Sequence, residues 1–492
     1  MQMWISLVTL RIIKLKTMTG IYLISAFSIA GLLFFNRNKI VNYLLVILFG
    51  ILQTAFTLYS CFNYKSTALV YFTFDSLGLL LLITLGIITL PALFHSYLYI
   101  VRHNETPQSR GIYFAAIVAL ITSITAAYLA NHLAVIWIFT ELTTLSASML
   151  IYHHRNKLAL EGTWKYLFIC AISITFVFIG ILFLSLSLQH AGSDDLSFSN
   201  LMLYKDKLNQ FWLKLSFLFI FTGFTAKLGL VPMYTAGIDA KDKAPAPAGA
   251  LLASVLMNLG FIGIFRFYSV VAHTSLHNWA NLVILIAAVL SIFVAAVYMT
   301  KVMNIKRMFA YSGIEHMGIV MLGIAAGGVG YYAAVLHIVL HAFVKSGLFF
   351  QFNQLYRTFQ SKSIMYTGNY FKYHPAGAMV LLLGFISATA MPPSGLFVSE
   401  FLIFKALFAG SHIAILIVVL ILLTIVIWAF GKNVLKILFL PVQGIDESKI
   451  PKINPWETLT QFAMLFAAIW LGLNPPAAFV DLIKDAVSIL PS

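Results

Sequence analysis

Ionisable residues interrupt otherwise apolar runs at several places along the chain. Glu141 lies in Trp137-Ile138-Phe139-Thr140-Glu141-Leu142-Thr143-Thr144, where threonine hydroxyls are at hand to solvate a carboxylate. Lys227 lies in Thr225-Ala226-Lys227-Leu228-Gly229, just before Pro232. Glu315 and His316 adjoin each other, and Glu400 and Lys405 follow Pro392-Pro393. His337, His341 and Lys345 recur at i, i+4 and i+8, which puts them on one helix face. A charge at the centre of a membrane helix costs about 2.5–3.5 kcal/mol on insertion scales, so it is kept for a function or for a structural ion pair.

These residue types suit proton transfer. Burial and a neighbouring carboxylate act in opposite senses on a lysine, so a lysine held between them gains and loses a proton as its partner moves. An imidazole takes a proton at one nitrogen and releases one from the other. The same positions admit plainer readings: a Glu–Lys pair that only holds two helices together, a lysine snorkelling to the interface, or histidines packed in a core. Zinc is a rival for His337 and His341, since His at i and i+4 can chelate. No HExxH pattern and no nearby cysteine accompanies them, so no metal site is expected.

The elements that hold these residues follow from composition. Of 492 residues, 61% are hydrophobic and 10% charged, and the mean hydropathy is +0.93. Soluble domains are nearer half apolar and a quarter charged; this chain suits a bilayer. The net charge of +15 sits in short loops between apolar runs rather than in a basic stripe, which argues for membrane orientation and against nucleic acid. Cys61 and Cys170 form no CxxC, and no P-loop or dinucleotide fingerprint occurs. The chain is expected to carry no cofactor of its own, and any redox chemistry to belong to a partner.

Apolar runs of spanning length fall near 20–35, 40–60, 76–100, 111–130, 132–152, 164–188, 211–232, 244–268, 279–300, 308–328, 332–356, 376–409, 412–440 and 460–474. The expectation is an all-α polytopic membrane protein of about 14 transmembrane helices. Arg11, Lys14 and Lys16 precede the first run as in a signal peptide, but no small-residue cleavage site follows, so the run reads as a retained helix. Met18 is an alternative start that removes those three charges. The odd-numbered loops hold eighteen Lys and Arg and the even-numbered loops five, which puts the odd loops in the cytoplasm and both termini in the periplasm.

The organisation expected is three N-terminal helices (1–110), a five-helix repeat (111–268), a second, inverted five-helix repeat (279–440), and a C-terminal loop with helix 14 (441–492). An odd number of helices per repeat forces the inversion. The fourth helix of each repeat is broken, at Gly229-Leu230-Val231-Pro232 in helix 7 and at Met391-Pro392-Pro393-Ser394-Gly395 in helix 12. Transporters build midplane sites from such paired breaks.

At this point the sequence resembles the antiporter-like subunits shared by respiratory complex I, group 4 membrane-bound hydrogenases and multi-subunit cation/proton antiporters. The resemblance covers helices 4 to 13. It rests on Thr-Glu-Leu (140–142), Phe-Thr-Ala-Lys (224–227), Ala-Pro-Ala-Pro-Ala-Gly-Ala-Leu-Leu (244–252), Tyr-Ser-Gly-Ile-Glu-His-Met-Gly (311–318), His-Xaa3-His-Xaa3-Lys (337–345) and Pro-Pro-Ser-Gly-Leu-Phe-Val-Ser-Glu-Phe (392–401). Glu-Gly-Thr-Trp-Lys-Tyr (161–166) and parts of the later motifs look most like the hydrogenase-4 component F branch.

What the resemblance implies is a proton channel with Glu141 and Lys227 paired in the first half, a central axis of His337, His341 and Lys345, and an exit-side group at Glu400. Lys165 matches a basic position at the start of helix 6. Two departures stand out. Tyr234-Thr235-Ala236-Gly237-Ile238-Asp239-Ala240 replaces the usual His-Thr-Trp-Leu-Pro-Asp-Ala, and Asn258 stands where many complex I members have lysine. The function implied is a proton-translocating subunit in the bacterial cell inner membrane. It would work with other membrane subunits and redox-carrying partners of a hydrogenase-4/formate hydrogenlyase-like or NADH:quinone oxidoreductase-like complex. The competing readings are a subunit of a cation/proton antiporter or of an ion-driven inorganic-carbon uptake complex, and a structural anchor that has lost conduction.

Overall fold

The computed structural model describes residues 2–64, 71–442 and 447–491, with side chains from Met18 onward apart from Lys449. Arg11, Lys14, Lys16, Lys65 and Lys449 therefore lie outside the described side chains. With no water in a bilayer core, a spanning backbone must satisfy its own hydrogen bonds, and an apolar run does so as a helix. The first such helices are α1 (Gln2–Phe35), α2 (Lys39–Phe62), α3 (Ser76–Arg102), α4 (Pro107–Leu129), α5 (Leu133–Ile151) and α6 (Lys157–Ala191). After the short α7 (Phe198–Tyr204), the seventh span is split into α8 (Gln210–Leu228) and α9 (Thr235–Lys243), and the eighth into α10 (Ala246–Ala253) and α11 (Val255–Val271).

The second half holds α12 (His277–Met299), α13 (Ile305–Ala326) and α14 (Val329–Phe359), then the short α15 (Tyr370–Tyr373). The twelfth span is split into α16 (Pro375–Ala388) and α17 (Gly395–Ala409), and α18 (Ile413–Phe439) and α19 (Pro455–Leu473) follow. Thirteen helices among the described residues are long and apolar enough to cross a membrane, and the α16–α17 pair supplies the remaining apolar run. Two features were not anticipated: the interruption of the eighth span at Ser254, and a further helix, α20 (Ala477–Val487).

Local chemistry explains the ends and the breaks. Asn38, Asp75, Asn156, Asn209, Asn304 and Asn454 cap helix N-termini by accepting backbone N–H groups, as short polar side chains do. At the end of α8, Gly229 turns left-handed at φ +87, and the N–H groups of Gly229 and Leu230 both donate to the Thr225 carbonyl, a glycine-terminated helix end. Pro232 follows and cannot donate, while the Val231 N–H donates to Ser291 Oγ on α12 at 2.9 Å. In the second break, the Thr389 and Met391 N–H groups close α16, and Ser394 caps α17 by accepting from Phe397 N.

The connections segregate to two ends. His153 meets Glu105 at 3.1 Å, Lys362 donates to the Asp242 carbonyl at 2.8 Å, and Asn304 pairs with Ser363; these join odd-numbered loops. At the other end Phe72 pairs with Ala130 and His132 with Ser197, and Arg266 holds Asp75 at 2.8 Å. The best-sheltered helices are α10–α11, α13 and α14, whose apolar windows are 100% buried, against 33% for α18. The outer helices thus give their apolar faces to lipid or partners. Of the sheltered ones, α13 and α14 carry Glu315, His316, His337, His341 and Lys345, where such groups are tolerated.

Candidate functional site

Small residues bring the first group together. A Cβ on Gly223 of α8 would lie 2.5 Å from the Ser173 carbonyl of α6, and one on Gly180 of α6 would lie 3.0 Å from the Ser216 carbonyl of α8. This reciprocal notch lets the two backbones approach. Tyr166 on α6 therefore reaches Lys227 on the last turn of α8, whose Nζ donates to Tyr166 Oη at 3.0 Å and to Thr144 Oγ1 on α5 at 2.7 Å. Lys227 is buried, and the Tyr166 ring faces its ammonium at 5.1 Å. Glu141, one turn from Thr144, is half-buried and has one carboxylate oxygen, Oε2, without a protein partner. No Glu141–Lys227 ion pair forms within 4.0 Å among the described residues.

The second group centres on α13 and α14. Lys345 Nζ donates to the Phe309 carbonyl at 3.1 Å and also bonds Ser312 Oγ. His316 Nε2 faces the Ala388 carbonyl at 3.1 Å, a carbonyl freed by the break after α16. A carbonyl only accepts, so that nitrogen carries the hydrogen. His316 Nδ1 meets His337 Nε2 at 3.1 Å, and His337 Nδ1 meets Ser399 Oγ of α17 at 3.0 Å. With both rings neutral, His337 donates to His316 and accepts from Ser399. Adding a proton at His337 Nδ1 turns the Ser399 hydroxyl away, towards the Leu396 carbonyl at 3.0 Å. The chain Ser399–His337–His316 thus accommodates one added proton through a single hydroxyl rotation.

His341 stacks edge-on to His316 at 5.2 Å, and neither of its ring nitrogens has a protein partner. Buried polar groups of this kind are commonly served by water. Glu315, buried with Oε2 lacking a hydrogen bond and 3.8 Å from His316 Nε2, and Glu400, 7% exposed, lie with His316 so that one ligand atom from each falls within 4.8 Å of the others. The three could face one cation. His316 Nε2, however, is engaged by Ala388 and Nδ1 by His337. Glu315 and Glu400 also line a recess of about 200 Å³ with Thr389 and Thr424.

Two residues singled out in the sequence stay outside this buried line. Lys165 is exposed on α6, two turns from its start, and pairs with Glu161, while Asp239 lies 3.8 Å away. Lys405 points outward from α17. The line itself runs Glu141, Thr144, Lys227 and Tyr166, then Lys345 and Ser312, then Glu315, His341, His316, His337, Ser399 and Glu400.

Residues 130–426 match the family described as NADH:quinone oxidoreductase/Mrp antiporter, transmembrane. The chain belongs to this family. It is 27% identical over 422 residues to the hydrogenase-4 component F homolog of Methylacidiphilum infernorum, covering 84% of this chain and 87% of that protein. Among solved structures, a chain of the archaeal membrane-bound sulfane sulfur reductase aligns with TM-score 0.84 at 18% identity, covering 96% of both chains. A chain of the Mrp complex from Dietzia sp. DQ12-45-1b aligns with TM-score 0.81 at 15% identity, over 96% of this chain and 97% of that one. The family fold spans the whole line from Glu141 to Glu400.

Within this antiporter-family fold, several charged residues are not where loop counting puts them. Lys241, Lys306 and Arg266 are all buried. Lys306 Nζ donates to the Ala244 carbonyl at 3.0 Å, and Arg266 bonds the Tyr128 carbonyl at 2.8 Å as well as Asp75. Each follows or precedes an apolar run with no intervening Gly/Pro cluster that would send it into solvent; that was the available signal for Lys306 and Arg266. Glu457 was also overlooked. It is fully buried at the start of α19, between Arg102 of α3 and Arg357 of α14.

Proposed function

We propose that this chain is a proton-translocating membrane subunit of a multi-subunit oxidoreductase of the hydrogenase-4 or NADH:quinone oxidoreductase type, with the redox centres on partner subunits. The observation that carries the reading is the line of titratable groups from the half-buried Glu141 through buried lysines and histidines to the buried Glu400, inside the fold of the NADH:quinone oxidoreductase/Mrp antiporter family. Glu141 and Lys227 form the entry unit, joined through Thr144. Lys345 and the histidines His341, His316 and His337 form the axis, and Glu315 with Glu400 forms the exit. The names of relatives, such as the hydrogenase-4 component F homolog, support the type of complex. We place the chain in the bacterial inner membrane with the odd loops in the cytoplasm, on the strength of their Lys and Arg excess. The two blocks 111–268 and 279–440 act as inverted halves, each contributing one broken helix to the line.

The test uses the complex as isolated, reconstituted in liposomes. Partner-driven redox turnover should acidify one compartment, and Lys227→Ala should abolish most of that acidification while leaving assembly intact. Unchanged proton movement in Lys227→Ala would overturn the reading. Proton movement that needs no redox turnover but requires a Na+ gradient would replace it with cation/proton antiport.

A further inference from the structure

The two clusters of the line are separated by the break between α8 and α9, and one residue occupies the gap. Lys241 stands on the last turn of α9 and is 4% exposed. Its Nζ has one hydrogen-bond partner among the described residues, the thioether sulfur of Met257 at 3.2 Å. No carboxylate lies within 4.0 Å of it among the described residues. A lysine that only closed a helix end would reach a carbonyl, and one that snorkelled would reach the surface. Lys241 does neither.

Its surroundings face both clusters. A small cavity of about 10 Å³ is lined by Tyr166, Lys227 and Lys241 together, with Gly229, Gly237 and Leu256 among the other wall residues. That is room for about one water centre. On the far side, a Cβ added to Gly313 of α13 would sit 3.7 Å from Lys241 Nζ, so the ammonium lies against bare backbone there. Gly313 directly follows Ser312, the residue that holds Lys345. Asn258, next to Met257 on α11, is buried with both amide atoms unpartnered, as are both ring nitrogens of His341. Buried polar groups of this kind are ones that single waters can bridge.

We propose that Lys241 is a proton-carrying residue that links Lys227 to Lys345 across the break, a role that rests on the reading of the chain as a proton conductor. In the step at the cavity, the Lys227 ammonium gives one proton to the single water as that water gives another to the Lys241 amine. One N–H bond breaks, one forms, and the water is regenerated. The onward step runs past Gly313 to Lys345. Like charges oppose each other in a low-dielectric interior, so a proton on Lys241 favours release from either neighbour. The break serves this purpose: it turns α9 so that a residue of the seventh span faces α13 instead of α5.

The test compares Lys241→Met, Lys241→Gln and Lys241→His with Lys227→Ala in the reconstituted complex, reading proton translocation, redox turnover and assembly. Lys241→Met and Lys241→Gln should lose translocation on the order of 100-fold while assembly and redox turnover persist. Lys241→His, which titrates, should recover a substantial part of it. If Lys241→Met fails to assemble, Lys241→Gln decides, since it keeps a polar group in the cavity. Wild-type translocation in Lys241→Met or Lys241→Gln, with Lys227→Ala blocked, overturns the proposal, as does a Lys241→His no better than Lys241→Gln. Normal translocation in Lys227→Ala instead rejects the conductor reading itself.

Discussion

Lys227 reaches the helix of Glu141 through Thr144: its Nζ donates to Thr144 Oγ1 at 2.7 Å, while the carboxylate stays beyond ion-pair distance. A hydroxyl in that position both accepts from the ammonium and has a hydrogen to offer the carboxylate. It can therefore relay a proton that a direct salt bridge would hold in place. Thr144→Val, which keeps the shape and removes the hydroxyl, should slow proton translocation about tenfold or more. Glu141→Gln and Lys227→Ala should each remove most of it, and the double variant should be little worse than either single. Fully additive losses in the double variant would show that the two act separately.

The histidine chain makes a second expectation. His337→Gln/His341→Gln keeps hydrogen-bonding groups but removes proton uptake at both rings. Proton translocation should fall strongly while redox turnover of the partners stays measurable. Normal pumping in this double variant would assign both rings to packing, as would a Ser399→Ala variant without effect.

A third concerns stability rather than conduction. Glu457 is fully buried between Arg102, 29% exposed, and Arg357, 13% exposed, and it ties α19 to α3 and α14. Glu457→Gln leaves two guanidinium groups without their counter-charge. Removing one partner of a buried pair costs about 3–5 kcal/mol, and the exposure of Arg102 puts the cost here near about 3. The melting temperature of the detergent-solubilised chain should fall markedly, and an unchanged value would show that water already screens the site.

A fourth concerns acid. The hydrogen bond from His153 holds the Glu105 carboxyl, in the loop between α3 and α4, down at about 2 instead of 4.5. A depressed carboxyl contributes stability above its unfolded value and loses it as pH falls through the folded one. The contribution is therefore present above about pH 4.5 and lost towards about pH 2. Thermal melts from pH 5 to pH 2.5 should show a steeper acid decline in the wild type than in Glu105→Gln. Parallel declines would sink the assignment.

Orientation is tested by reporter fusions at Ser361 and Ser193, which lie at opposite ends of the helix bundle. Cytoplasmic reporter activity is expected at Ser361 and absent at Ser193. The reverse pattern would reject cytoplasmic odd loops, whatever the line of buried residues does.

The sequence by itself was enough for membrane residence, the number of apolar runs, the two proline breaks and the family resemblance. These depend on residue order along one dimension: twenty apolar residues span a bilayer in any arrangement of neighbours. It also singled out Glu141, Lys227, His337, His341, Lys345, Glu315, His316 and Glu400 as candidates, because an ionisable group within such a run stands out without any fold. Only the tertiary structure decided which side each residue faces. A helix surrounded on all sides has no polar face to reveal its azimuth. Lys165 and Lys405 point outward, while Lys241, counted as a loop charge, lies inside, on the part of α9 that faces α13, although α9 ends at Lys243 and α13 begins only at Ile305. The physical reason is that burial in a helix bundle is a property of packing neighbours. The close α6–α8 approach and the turn at Gly229 choose those neighbours, and no window of hydropathy contains them.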